Sequence, residues 1–68
     1  MPRYAYIFAC ADITRPSGEP LYWAEVIANP SSVDEATLYA TTWYATRREA
    51  IADALAWMED NGVEDADP

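Results

Sequence analysis

The carboxylates are the side chains of this sequence whose number and spacing could do chemistry. Twelve Asp and Glu residues face four arginines, and the chain contains neither histidine nor lysine, so its formal net charge is −8. Histidine is the usual general base and metal ligand near neutral pH, so its absence makes acid–base catalysis and metal binding less expected. The acidic run EDNGVEDAD at 59–67 could attract Ca²⁺, but it lacks the ligand spacing of an EF-hand loop. We therefore expect no metal ion and no cofactor.

Nucleophilic side chains have no activating neighbour in the sequence. Ser17, Ser31 and Ser32 lie in loop-like segments, and the two glycines do not form a phosphate-binding loop. Cys10, the single cysteine, cannot form a disulfide within the chain and has no cationic neighbour, so we expect a small buried hydrophobic side chain. No catalytic residue is predicted, and we do not expect an enzyme.

Four segments have the patterning of secondary structure. Aromatic and β-branched residues predict strands at 4–13, 21–29 and 37–45, and the short loops between them favour an antiparallel meander. A helix is predicted over 46–63, because Thr46 and Glu49 form a capping box and Gly62 suits the left-handed position after a helix. The predicted fold is α+β, of order β-β-β-α, with the helix packed on one face of a three-stranded antiparallel sheet. Residues 1–63 form this single domain, and residues 64–68 an acidic C-terminal tail.

Both faces of the predicted sheet are apolar, although one helix covers only one of them. Taking alternate residues along each strand separates a set of mainly small side chains from a set of mainly aromatic ones. The small set is Ala5, Ile7, Ala9, Ala11, Tyr22, Ala24, Val26, Ala28, Leu38, Ala40, Thr42 and Tyr44. The aromatic set is Tyr4, Tyr6, Phe8, Cys10, Leu21, Trp23, Glu25, Ile27, Tyr39, Thr41 and Trp43.

The small set is the better floor for the helix, because bulky helix side chains pack densely on small strand side chains. The predicted apolar stripe of the helix is Ile51, Ala54, Leu55 and Met58. The aromatic set then faces outward as a larger apolar patch than monomers usually expose. The opposite arrangement leaves an alanine-rich face in water. In both cases the second face either meets a partner or a second copy, or is tolerated in water through its Tyr and Trp polar groups.

The predicted helix carries charges at the ends where its macrodipole disfavours them. Arg47 and Arg48 occupy the first turn, and Glu59 and Asp60 occupy the last. Two interpretations remain open. Local pairing, such as Arg48 with Glu49, relieves the electrostatic cost, or these charges contact a partner.

Acidic residues also form a stripe along the helix. Glu49, Asp53 and Asp60 recur at i, i+4 and i+11, where carboxylates could imitate the charges of a nucleic-acid backbone. Direct binding to nucleic acid is not expected, because it requires Lys and Arg at the phosphates. The acidity serves solubility alone, or it suits a basic protein surface that normally holds nucleic acid. The wider acidic cluster is Glu59, Asp60, Glu64, Asp65 and Asp67.

Location follows from what the chain lacks. No segment is long and apolar enough to cross a bilayer, and no signal peptide is recognisable after Arg3. We therefore expect no membrane association and a cytoplasmic location, which for the phage-type resemblance described below is the host bacterial cytoplasm.

Two resemblances bear on function. The run WYATRREAIADALAWME at 43–59, a strand entering a T-x-x-E-A helix after a β-meander, resembles HicB-type antitoxin domains, which bind and neutralise a toxin. The whole chain, very short, strongly acidic and free of catalytic residues, resembles phage-encoded anti-CRISPR proteins. That second resemblance implies an inhibitor that occupies the basic nucleic-acid channel of a CRISPR effector complex.

The leading functional hypothesis is therefore a small non-enzymatic inhibitor of this anti-CRISPR-like kind, with a host protein or ribonucleoprotein complex as its partner. The alternatives are a HicB-like antitoxin module and a homodimeric structural domain. The predicted partner-binding residues are Tyr6, Trp23, Tyr39, Trp43, Arg47, Arg48, Glu49, Asp53, Glu59 and Asp60.

Overall fold

The computed structural model describes residues 3–12 and 16–66. Its elements in chain order are β1 (Arg3–Asp12), β2 (Leu21–Ala28), β3 (Ala36–Ala40), α1 (Arg47–Asp60) and β4 (Val63–Asp65). The strands form one sheet of order β3-β2-β1-β4. The α+β class and the antiparallel β1–β2–β3 meander are confirmed. Ile13 of the predicted first strand and residues 67–68 of the predicted tail lie outside the described residues.

The prediction of a three-stranded sheet is incomplete, because β4 adds a parallel strand at the free edge of β1. Arg3 lies opposite Val63 and Ala5 opposite Asp65, and the backbone N–H of Ala66 donates to the carbonyl of Ala5 at 2.9 Å. Gly62, with a φ of 66°, turns the chain after α1, and Val63 enters the core with 6% of its surface exposed. The sheet is therefore mixed, and α1 crosses one of its faces from the β3 edge to the β4 edge.

Helix α1 begins where the cap chemistry predicts. The side chain of Thr46 accepts a hydrogen bond from the backbone N–H of Glu49 at 3.2 Å, and the Thr46 hydroxyl donates to Oε1 of Glu49 at 2.9 Å. At the other end the N–H of Gly62 donates to the carbonyl of Glu59. The Glu49 N–H and the Glu59 carbonyl, which a helix leaves without partners at its termini, are satisfied in this way.

Small side chains bring α1 close to the sheet. The buried core consists of Ala5, Ala24, Val26, Ala50, Ala54, Met58 and Val63. The small-residue face of β1 and β2 is thus the floor of the helix, as expected. The predicted helical stripe is wrong at Leu55, which is 43% exposed, and Ala50 is buried in its place. The face that carries Ala50 and Ala54 lets the helix backbone approach the sheet closely, which leaves no room there for a leucine.

Strand β3 departs from simple alternation. Val26 lies opposite Tyr39, but Ile27 lies opposite Thr37, so Leu38 is an extra residue in β3. An extra residue moves the neighbouring side chains to the opposite faces of the sheet. Tyr39 therefore lies on the helix side, and its predicted place in the outward aromatic set is wrong. Ala40, opposite Glu25, correspondingly lies on the outward side.

Candidate protein-interaction face

The sheet face turned away from α1, here called the outer face, is covered by aromatic side chains. It is defined by alternation with the strand residues that are buried under the helix. Tyr4, Tyr6, Phe8 and Trp43 keep 56%, 37%, 42% and 49% of their surface exposed. The outer face therefore presents a broad aromatic surface to solvent. Its members are Tyr4, Tyr6, Phe8, Cys10, Trp23, Glu25, Ile27, Ala40 and Trp43.

The aromatic rings of the outer face are held in two pairs. The rings of Trp23 and Trp43 are 4.7 Å apart at an angle of 59°, and those of Tyr6 and Phe8 are 6.5 Å apart at 41°. These tilted arrangements are the ones that aromatic quadrupoles favour. Ring contacts between neighbours limit the motion of these side chains. They therefore lose less rotamer entropy when a partner binds than flexible side chains would.

One carboxylate, Glu25, lies among these rings. The register of the sheet places Phe8 opposite it on β1 and Ala40 opposite it on β3. The indole N–H of Trp23 donates to Oε2 of Glu25 at 3.2 Å. Because this bond joins two residues on the same face of β2, it orients the carboxylate within the outer face.

Cys10 shares the same carboxylate oxygen. Its thiol lies 3.7 Å from Oε2 of Glu25, and burial raises the pKa of Cys10, with the negative charge of Glu25 as the next cause. The thiol therefore stays protonated near neutral pH and acts as a weak donor, not as a nucleophile. Cys10 lies on the outer face with the aromatic set, as expected, but it is half-buried and not fully buried as the sequence predicts.

A second carboxylate lies at the β4 edge of the outer face. Tyr4 is opposite Glu64 in the parallel pairing. A hydrogen bond to Glu64, together with its negative charge, raises the pKa of Tyr4. Glu64 and Glu25 give this face a negative charge that its aromatic residues do not offset.

The opposite side of the sheet contains a different carboxylate arrangement. Asp53 of α1 accepts a hydrogen bond from the Tyr39 hydroxyl at Oδ1, 2.7 Å away, and a second from the Tyr44 hydroxyl at Oδ2. The ring of Tyr39 also stacks on Trp57 at 5.1 Å and 5°. The bonds to Asp53 raise the pKa of both tyrosines. Asp53 and Tyr39 thus join the helix to the sheet, since both carboxylate oxygens are already used within the chain.

The charged residues predicted on the helix lie on the side of the molecule away from the outer face. The Arg47 guanidinium lies 5.8 Å from the ring centre of Tyr22, a cation–π contact that holds it on the sheet near β2. Glu49 is engaged at the N-cap, and Arg48, Glu59 and Asp60 are exposed.

The ten predicted partner-binding residues therefore fall into two groups. Tyr6, Trp23 and Trp43 come together on the outer face, and the seven others belong to α1 or to its contact with the sheet. Five outer-face residues on β1 and β2 are absent from that prediction. Alternation along these strands was sufficient to find them, because they belong to the same parity set as Tyr6 and Trp23. They are Tyr4, Phe8, Cys10, Glu25 and Ile27.

Within residues 3–12 and 16–66 there is no pocket and no group of three or more Cys, Asp or Glu side chains arranged to hold a metal ion. In the same part of the chain, no helix has the length and apolar character needed to cross a membrane. No protein-family model, curated protein or solved structure matches this chain.

Proposed function

We propose that this protein is a small non-enzymatic inhibitor that binds another protein through its outer face and blocks a basic surface used for nucleic acid. Its partner would be a host effector complex of the CRISPR type, met in the bacterial cytoplasm. The observation that carries the proposal is the outer face itself, where four aromatic residues are more than a third exposed on one side of a small sheet. Contiguous apolar patches of this kind are typical of protein-interaction sites.

The composition of the outer face supports a protein partner. Aromatic residues are enriched at the centres of protein interfaces, where Trp and Tyr contribute most of the binding energy. Exposed aromatic rings on a sheet also serve RNA-binding domains, which stack bases on them. Here Glu25 and Glu64 accompany the rings, and a net charge of −8 would repel a phosphate backbone.

The charge supports a basic partner surface. A strongly negative protein is steered towards positive clefts, and nucleic-acid-binding channels are the most positive surfaces that proteins commonly present. Glu59 and Asp60 at the end of α1 are exposed and add to this long-range field, although they lie away from the outer face. We assign to them the steering of the encounter, and to the outer face the contacts that hold the complex.

The proposal is tested by competition with nucleic acid. Purified CRISPR effector ribonucleoproteins of several types are titrated with the protein, and their binding to a labelled target duplex is followed by fluorescence anisotropy. We expect one effector to lose target binding near stoichiometric amounts of the protein. Poly-glutamate at matched total charge is the control and should inhibit only at large excess. Equal inhibition by poly-glutamate, or no inhibition of any effector, would contradict the proposal.

A further inference from the structure

Glu25 occupies an unusual position for a carboxylate, near the middle of an aromatic surface. Its neighbours across the sheet are Phe8 and Ala40, and its neighbours along the same face of β2 are Trp23 and Ile27. The side chain is half-buried. A partner that covers the outer face would remove the remaining water from this carboxylate, and an unpaired carboxylate at such an interface is strongly unfavourable.

Among the residues that the structure describes, the hydrogen-bond donors to Glu25 are neutral. These two donors, the indole N–H of Trp23 and the thiol of Cys10, reach the same oxygen, Oε2. An ionised carboxylate accepts about four hydrogen bonds, so acceptor capacity remains. Among the described residues, no arginine lies on the outer face. Arg3 has the same parity on β1 as the buried Ala5 and so lies on the helix side, and Arg47 of α1 lies over Tyr22. The described arginines therefore do not balance the charge of Glu25 in a covered interface, whereas a cation of the partner can.

The described residues of a second copy of this chain do not provide that charge. In a symmetric dimer built from two outer faces, each copy presents Glu25 and Glu64 to a surface that carries carboxylates of its own. Like charges brought together across an interface cost several kcal/mol, and each copy also has a net charge of −8. The outer face is therefore complementary to a basic surface and not to itself.

We propose that Glu25 is the anchor for an arginine side chain of the partner, an inference that rests on the proposed function and specifies its partner chemistry. The guanidinium pairs with the free acceptor capacity of Glu25, and its flat faces pack against the neighbouring rings of Phe8 and Trp23. Arginine fits this site better than lysine, because a planar guanidinium combines carboxylate pairing with ring stacking. The small side chain of Ala40 leaves the β3 side of Glu25 open to the approach.

An arginine nonapeptide is the probe for this site, followed by ¹H–¹⁵N NMR of the indole N–H groups. The three tryptophans give three separate signals. Trp23 and Trp43 lie on the outer face, and Trp57, stacked on Tyr39 beneath the helix, is an internal reference. We expect the Trp23 signal to shift most, since its N–H bonds to Glu25, and the Trp57 signal to stay in place. Equal shifts of all three signals would overturn the proposal.

Two charge-removing variants test whether peptide binding depends on the charge of Glu25 itself or on the total charge of the protein. Glu25→Gln removes the charge but keeps a carbonyl oxygen for the Trp23 indole, and Asp34→Asn removes one charge from an exposed loop residue. We expect Glu25→Gln to weaken peptide binding about tenfold and Asp34→Asn less than about twofold. Equal losses would show a non-specific charge effect and overturn the assignment. Phe8→Ala, which leaves all charges in place, should also weaken binding, and an unchanged affinity would exclude the stacked geometry.

Two further measurements distinguish the arginine site from a general cation site and from a homodimer interface. A lysine nonapeptide should bind several-fold more weakly than the arginine peptide, and equal affinity would contradict an arginine site. Sedimentation of the free protein at tens of micromolar should show a monomer, whereas a dimer lost on Phe8→Ala would assign the outer face to a second copy. Peptide binding at Glu25 with no inhibition of any effector would leave the arginine site intact and reject the proposed function alone.

Discussion

The hydroxyl of Tyr39 on β3 donates a hydrogen bond of 2.7 Å to Oδ1 of Asp53 in the middle of α1. The hydroxyl of Tyr44 donates to the other carboxylate oxygen, so one aspartate joins the helix to two points on the β3 side of the sheet. Charge-assisted hydrogen bonds of this kind are stronger than those between neutral groups. Asp53 is therefore a structural residue, and the surface charge of α1 is provided by its neighbours.

Replacing Asp53 should destabilise the fold although no charge partner is lost. We expect Asp53→Ala to lower the free energy of unfolding by about 1–2 kcal/mol, because two tyrosine hydroxyls lose their acceptor. Asp60→Ala is the matched control: it makes the same substitution on the same helix, at an exposed position beside the negative end of the macrodipole. It should leave stability unchanged or slightly raised. Urea denaturation followed by circular dichroism measures both, and equal losses would contradict the role of Asp53.

Stability should fall at alkaline pH through these same tyrosines. The hydrogen bonds to Asp53 raise the pKa of Tyr39 and Tyr44 above the usual value of 10.0, and the charge of Glu49 adds to the shift at Tyr44. The folded state therefore holds protons that the unfolded state has already released. The stabilisation is complete below pH 10, and it is lost as the pH rises through the raised pKa values.

Urea unfolding between pH 8 and pH 11.5, with tyrosine ionisation read at 295 nm, measures this loss. Asp53→Asn keeps an acceptor oxygen for one of the two hydroxyls but removes the negative charge that also raises both pKa values, so its stability should decline less steeply. A residual slope is expected from Tyr4, whose pKa is raised by Glu64. An identical slope in the wild type and Asp53→Asn would mean that Asp53 does not control these hydroxyls.

The fourth strand leads to a separate prediction about stability. Val63 is buried in the core beside Met58, whereas Val33 is fully exposed in the loop before β3. Val63→Ala should cost about 2 kcal/mol from lost burial and the cavity left behind, and Val33→Ala should change stability by less than about 0.5 kcal/mol. Thermal unfolding of the two variants compares them directly. Equal stability of the two would show that β4 does not hold Val63 in the core.

The alanine floor under the helix is tested by adding volume. Ala54 is completely buried against the sheet, and Ala56, two residues further along α1, is exposed. Ala54→Leu should destabilise the protein by about 1–3 kcal/mol, because the helix must move away from β2 to make room. Ala56→Leu adds the same side chain with little change. If Ala54→Leu were as stable as the wild type, this would contradict the close packing of α1 on the sheet.

Local chemistry made most of the fold predictable. The ends of α1 follow from Thr46, Glu49 and Gly62, whose capping roles depend only on neighbouring residues in the chain. Alternation along β1 and β2 assigned their two faces correctly, because neither strand is interrupted within its paired segment. The exposed aromatic members of the outer face on these two strands could therefore be read directly from the sequence.

Tertiary contacts determine the features of the fold that local sequence does not predict. The extra residue Leu38 in β3 turns Tyr39 towards the helix, where stacking on Trp57 and the bond to Asp53 favour that orientation, and alternation alone predicts the reverse. The acidic residues of β4 have low β-propensity, and the strand exists because Val63 is buried and β1 offers a free edge. The contact of Glu25 with Cys10 likewise depends on the register of β1 and β2, which the sequence does not encode locally.

The central claim, that the outer face holds the partner, is tested most directly by a pair of variants with nearly equal exposure. Phe8 on the outer face is 42% exposed, and Leu55 on α1 is 43% exposed. In the target-binding competition with the effector that the wild type inhibits, we expect Phe8→Ala to require at least about tenfold more protein for half-inhibition, since buried aromatic contacts dominate interface energies. Leu55→Ala should inhibit like the wild type. Equal inhibition by both variants, or a larger loss for Leu55→Ala, would contradict the claim.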